Sequence, residues 1–181
     1  MPSIYLLLSR TDTVFAKTMY MLTHNQYTHV SLALDRALSR MYSFARRYEI
    51  SPLPAGFIRE SLYDGVYGRC GGADSMVLKL PVSQPVYDRI SRRLSEMEKS
   101  KELYGYDVMG LVLAALGIVH QRKDKFVCSQ FVAQVLRDAG ALSMPYDPSL
   151  VRPQDFAEIP TLQVVYKGPL AYAGECFAAA G

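Results

Sequence analysis

Cysteine is scarce in this sequence and irregularly placed. Cys70, Cys128 and Cys176 are odd in number and widely spaced, a pattern that builds neither a disulfide framework nor a zinc knuckle. Histidine is equally scarce, and His24, His29 and His120 show no metal-ligand spacing. His24 and His29 are five apart, with a helix-to-strand break expected between them, which argues against a metalloenzyme. A phosphate-cradling glycine motif is missing as well, because Gly71-Gly72 runs into Ala-Asp-Ser with no Walker lysine. Nor is there a block of one charge. The formal net charge is +3 and the isoelectric point is near 8.7, but the cations are interleaved with Asp and Glu, so a nucleic-acid surface is not expected. The longest apolar run, Val108 to Val119, is well short of the ~20 residues that span a bilayer. It is expected to form a buried helix, with no integral membrane segment.

Hydrophobic residues make up 50% of the 181 positions. That is enough for one core and too short a chain for two comfortable domains, so a single domain over residues 1–181 is expected. The opening MPSIYLLLSRTDT lacks a basic region before its short apolar run and turns polar at once, which reads as a strand and not as a signal peptide. Together with the unpaired cysteines, this points to a cytoplasmic protein.

Ile4 to Leu8 suits a buried strand, and Thr11 and Asp12 can cap a helix reaching about Leu22. From Tyr27 to Leu34 the pattern alternates. His29, Ser31 and Ala33 fall on one side, with Val30, Leu32 and Leu34 on the other. Asp35 to Arg40 can turn the chain into Met41-Tyr42-Ser43-Phe44, giving an antiparallel hairpin in which Ser43 shares the parity of His29. Ser51 to Gly72 is rich in Pro, Gly and Tyr and is expected to form an ordered covering loop that shapes a groove. Ser75 to Leu80 has strand character, and Ser83-Gln84-Pro85 opens a charged helix through about Lys101. A polar connector from His120 to Lys125 leads to a second amphipathic helix at KFVCSQFVAQVL, which Gly140 stops. The tail offers a short helix near Asp155 and strand candidates at Thr161 to Tyr166 and Leu170 to Tyr172. The fold class is therefore α+β, an antiparallel sheet packed against helices.

A cysteine nucleophile must present a thiolate, and a helix N-terminus helps by aiming free N–H groups and partial positive charge at the sulfur. Cys128 stands at such a start, with Phe131, Val132, Val135 and Leu136 able to fix the helix to the core. The plainer alternative is a small buried apolar residue. Cys70 in its glycine-rich loop and Cys176 near the C-terminus have no such start. His29 is the one histidine within a regular strand, on the less oily side, where rigidity suits a base. His24 and His120 suit capping or solvated positions.

The succession THVSLALD, MYSF and then KFVCSQFVAQVL resembles the circularly permuted NlpC-type branch of the papain-like cysteine hydrolases, the YiiX/YebB-like group related to lecithin:retinol acyltransferase-like proteins. In that branch the histidine strand precedes the cysteine helix. The resemblance runs from the opening strand to the YKGPL segment, and its most specific part is the Cys-Ser-x-Phe-Val helix start joined to an upstream His-Val-Ser strand. It implies a papain-like core with the nucleophile Cys128 at a helix N-terminus and His29 as its base. The third, ring-orienting residue falls on Ser43, where the family usually has an acidic residue or a second histidine. A serine can hydrogen-bond the ring but not balance its charge. Asp35 and Glu60 are the charged alternatives. For the oxyanion the backbone N–H of Cys128 is one donor, and Tyr106 or Tyr104 could be the second by analogy with related enzymes, or could simply pack in the core.

The activity implied is thiol hydrolysis of an amide or isopeptide bond in a small peptide-like substrate, with no cofactor or metal required. Two alternatives are a lipid acyltransferase or thioesterase acting on an acyl substrate through the same dyad, and a binding module that keeps the fold without activity.

Overall fold

A computed structural model describes residues 1–10, 26–46, 55–62, 67 and 72–174. The helix expected over Thr11 to Leu22, His24, Cys70 and Cys176 lie outside the described residues.

The first strand, β1 (Ser3–Ser9), is apolar on both of its faces and occupies an interior position of the sheet. Ile4, Leu6 and Leu8 enter one hydrophobic cluster, while Tyr5 and Leu7 enter a second cluster on the opposite face. A strand covered on both sides reads in sequence as a continuous apolar run, as Ile4 to Leu8 does. Its neighbours are β2 (His29–Ala33), with Ser9 opposite His29, and β5 (Asp74–Pro81), with Ser9 opposite Ser75.

The expected hairpin is present. β2 pairs antiparallel with β3 (Met41–Arg46), with Ala33 opposite Met41. Asp35 builds its turn, accepting from the Ser39 N–H at 2.9 Å, the Ser39 hydroxyl at 3.0 Å and the Arg40 N–H at 3.1 Å. That is local Asx-type turn chemistry.

One departure matters for the site. The segment expected to be a loop from Ser51 to Gly72 contains a strand, β4 (Ala55–Glu60), antiparallel to β3 with Phe44 opposite Phe57 and Met41 opposite Glu60. The Pro- and Gly-rich surroundings mask six residues whose Phe57 is buried in the larger cluster. β4 then pairs with β6 (Gly105–Tyr106), and β6 runs parallel to β7 (Lys125–Phe126). At the other edge β5 pairs with β8 (Gln163–Pro169). The sheet order is β7-β6-β4-β3-β2-β1-β5-β8. It is mixed and not purely antiparallel, because β6 and β7 run side by side in the same direction. Leu170–Tyr172 forms a 3-10 turn where a strand was expected, and Asp155 sits inside a 3-10 segment, Pro153–Glu158, as its capping carboxylate.

Three α-helices complete the described architecture. α1 (Gln84–Lys99) buries Ile90, Leu94 and Met97 at helical spacing, and its charged residues form the solvated face. α2 (Val108–Ala115) was expected to be buried, yet Gly110 is its only buried residue. Its apolar residues surround the helix on all sides, so hydropathy alone could not tell which side, if any, faces the core. Gly117, at φ +72°, breaks the twelve-residue run soon after the helix ends. α3 (Cys128–Asp138) is buried along most of its length and packs Phe131 against Phe44 and Phe57. At its C-terminal end the Arg89 guanidinium donates to the Ala139 carbonyl at 2.8 and 3.2 Å. This satisfies an orphan carbonyl and sets positive charge at the negative end of the helix.

Candidate active site

β7 delivers the chain into α3 so that Cys128 is the first residue of the helix, following a Val127 in extended conformation. No side chain caps this helix start. The N–H groups of its first turn are therefore not occupied by a capping oxygen, as an anion-stabilising helix start requires. Cys128 is a free, buried thiol at 6% exposure. It is thus a core residue and, as the contacts show, also a partner in a polar cluster.

His29 opens β2, hydrogen-bonds Glu60, and lies close enough to Cys128 for the sulfur to raise the pKa of its ring. The contact with Glu60 runs from Nε2 to Oε1 at 2.9 Å, with the two side chains only 12% and 8% exposed. Burial by itself lowers the His29 pKa. The negative charges of Glu60 and Cys128, and the hydrogen bonds to both, more than reverse this and push it up to about 10. The ring is therefore held towards its imidazolium form.

Glu60 is in turn supported. Ser31, two residues beyond His29 on the same face of β2, donates its hydroxyl proton to Glu60 Oε2. The Tyr67 hydroxyl lies 2.7 Å from Ser31 Oγ and, with the serine proton already engaged, acts as donor. Burial first, and then the charge of Glu60, raises the Tyr67 pKa well above the ordinary phenol value, which keeps that donor protonated. Its ring centroid lies 6.0 Å from that of His29. A line of hydrogen bonds thus runs from Tyr67 through Ser31 and Glu60 to His29, with Cys128 near the ring.

Ser43 is not in that line. Its hydroxyl is fully buried and donates to the Val30 carbonyl at 2.7 Å. The parity argument was sound, since Ser43 and Met41 share a face of β3 and Met41 stands opposite both Ala33 and Glu60. Ser43 nevertheless hydrogen-bonds the strand backbone, while the longer Glu60 side chain reaches over β3 to the ring. Asp35 remains in its turn, away from the ring.

Of the two tyrosines, Tyr104 joins an aromatic cluster with Phe44, Phe57 and Phe126, at centroid distances of 6.4 to 6.5 Å. Tyr106 is the one beside the sulfur. It pairs with Phe126, and its phenol pKa is raised well above normal by burial and then by the charges of Cys128 and Asp107. Asp107 caps α2, accepting from the Gly110 N–H at 2.9 Å, and its other oxygen lies 3.7 Å from His120 Nε2. Gly110 is required there, because a Cβ would sit 2.5 Å from Asp107 Oδ2.

Sequence reasoning had no signal for Tyr67, and it placed Glu60 in a loop. The signal for Ser31 was its parity with His29. Among the described residues, no group of three or more His, Cys, Asp or Glu side chains could hold a metal ion, and no helix is long and apolar enough to cross a membrane. No protein-family model matches the chain, and no curated protein matches it.

Proposed function

We propose that the protein is a cysteine hydrolase with a papain-like core of the permuted NlpC type, in which Cys128 is the nucleophile, His29 its acid–base partner and Glu60 the residue that orients and charges the ring. The observation that carries this reading is the buried Glu60–His29 pair at 2.9 Å, with Cys128 near the ring at an uncapped helix start. Structural ion pairs also raise histidine pKa values, but they do not need a free thiol as the third member.

The chemistry is acyl transfer. The thiolate sulfur of Cys128, whose proton His29 holds, forms a bond to the substrate carbonyl carbon. The backbone N–H of Cys128 and the Tyr106 hydroxyl stabilise the resulting oxyanion. As the carbonyl re-forms, the bond to the leaving amine breaks and His29 returns the proton to that amine. His29 then takes a proton from water, whose oxygen attacks the thioester and releases the acid and the cysteine. A reducing, cytoplasmic setting suits such a thiol.

Amide or isopeptide cleavage in a small peptide-like substrate is the first reading. Acyl-ester or acyl-lipid chemistry through the same residues is the second, favoured by the exposed apolar helix α2, whose first residue follows Tyr106 by two positions. The inactive-module alternative rested on the absence of an acidic third residue, and Glu60 removes that support. Hydrolysis assays on peptide amides, acyl esters and phospholipids, each run with Cys128→Ala, test the proposal. Turnover of none of them, or turnover that survives Cys128→Ala, would reject it.

A further inference from the structure

α2 presents an unusual surface. Val108, Met109, Val112 and Leu116 follow helical spacing along one side, with exposures of 52%, 60%, 50% and 69%, and Ile118 and Val119 extend the same patch. No charged residue occurs between Val108 and Val119. The opposite side of the helix, around Gly110, packs against Pro148–Leu150. A soluble chain seldom leaves a continuous apolar stripe of this kind in water unless something covers it.

Two features indicate what covers it. The segment that follows the stripe is cationic, with Arg122, Lys123 and Lys125 against the single carboxylate Asp124. Arg122 pairs loosely with Asp124 at 3.8 Å, and this flank remains net positive. An apolar stripe running into a positive flank matches a bilayer interface that carries anionic headgroups. The second feature is position. The Asp107 N–H donates to the Phe126 carbonyl at 3.1 Å, so α2 starts one strand spacing from the segment that enters Cys128.

We propose that Val108–Val119 docks the protein on the surface of an anionic phospholipid bilayer, lying in the interface without crossing it, and presents the Cys128 side of the molecule to the lipid. The docking is independent of catalysis. Only its purpose, delivery of an acyl lipid to Cys128, rests on the second reading above.

The test is flotation of the full chain with phosphatidylglycerol-containing and pure phosphatidylcholine vesicles. The expected result is recovery with the anionic vesicles, weaker recovery with neutral ones, and a drop of about tenfold or more for Val112→Asp combined with Leu116→Asp. Cys128→Ala should bind as the unmodified chain does, which separates loss of docking from loss of activity. Because the sequence contains no tryptophan, Val112→Trp gives a single reporter whose emission should shift to the blue on anionic vesicles. The proposal is overturned by absence of flotation with an unshifted reporter, by equal recovery on neutral vesicles, or by a self-associated species that the double substitution dissociates. That last result would assign the stripe to a second copy of the chain.

Discussion

Glu60 Oε1 lies 2.9 Å from His29 Nε2, although the two residues are 31 positions apart and sit on strands separated by β3. Both side chains are nearly excluded from water, so each is the other's compensation for burial. Glu60→Gln keeps the shape and removes the charge, and it should lower kcat/KM by roughly 10²- to 10⁴-fold. Glu60→Ala leaves a buried cationic ring unpaired and should in addition cost about 3–5 kcal/mol of stability. Steady-state kinetics and urea denaturation measure the two effects separately. A fully active Glu60→Gln enzyme would remove Glu60 from the mechanism.

How much of this was legible follows from the kind of signal each residue leaves. Cys128 and His29 stand in regular elements whose periodicity is plain, a helix start with Phe131, Val132, Val135 and Leu136 behind it and a strand with strict alternation. Glu60 also stands in a strand, but Pro52, Pro54, Gly56 and Gly65 in and around it make the segment look like a loop. Composition averaged over a wide window concealed these six residues, and AGFIRE itself carries no period-two alternation to reveal a strand. Even with β4 assigned, parity would have offered Ser43 and Glu60 on the same face, and only side-chain length decides which of them reaches the ring. The placement of α2 was illegible for a different reason. A helix that is apolar all round has no stripe to say which side is inward, and the buried Asp107–Gly110 cap that orients it is a contact no periodicity encodes.

Ser43 supplies the control for that choice. Ser43→Ala removes its bond to the Val30 carbonyl and should cost about 1 kcal/mol while leaving turnover close to normal. Thermal denaturation together with kinetics distinguishes a ring-orienting serine, for which the alanine variant is inactive, from one that only ties its strand to β2.

The thiol itself can be interrogated without a substrate. If the His29 ring, which Cys128 helps to charge, activates the sulfur, iodoacetamide should modify Cys128 rapidly at neutral pH in the unmodified chain, and considerably more slowly in His29→Ala. Mass spectrometry of the modified peptide reads the site directly. Equal rates in the two proteins would mean that the ring does not activate the sulfur.

Stability should depend on pH in a direction set by His29. Its pKa in the folded protein is pushed up to about 10, by Glu60 and Cys128 acting against burial, while an unfolded histidine titrates near ~6.5. The folded state therefore holds the proton more tightly. That contribution is fully present below the unfolded value and is lost as pH rises through about 10. Urea midpoints measured across this window should fall more steeply for the unmodified chain than for the neutral pair His29→Gln with Glu60→Gln. Other groups titrating at high pH cancel in the comparison. Parallel curves would show that His29 does not carry the linkage.

Tyr106 offers the sharpest test of how the oxyanion is met. Burial, with Cys128 and Asp107 nearby, keeps its phenol protonated, so a donor is available beside the sulfur throughout the ordinary pH range. Tyr106→Phe removes one oxygen and leaves the ring to pack. If the hydroxyl meets the developing negative charge, kcat should fall by about 10²- to 10³-fold with little change in KM, because the bond strengthens only in the transition state. Tyr104→Phe should leave kcat near its normal value, since Tyr104 contributes to the cluster of Phe44, Phe57 and Phe126 through its ring. A Tyr106→Phe enzyme that loses stability but keeps its kcat would assign Tyr106 to packing, and the second oxyanion donor would then have to come from the first turn of α3.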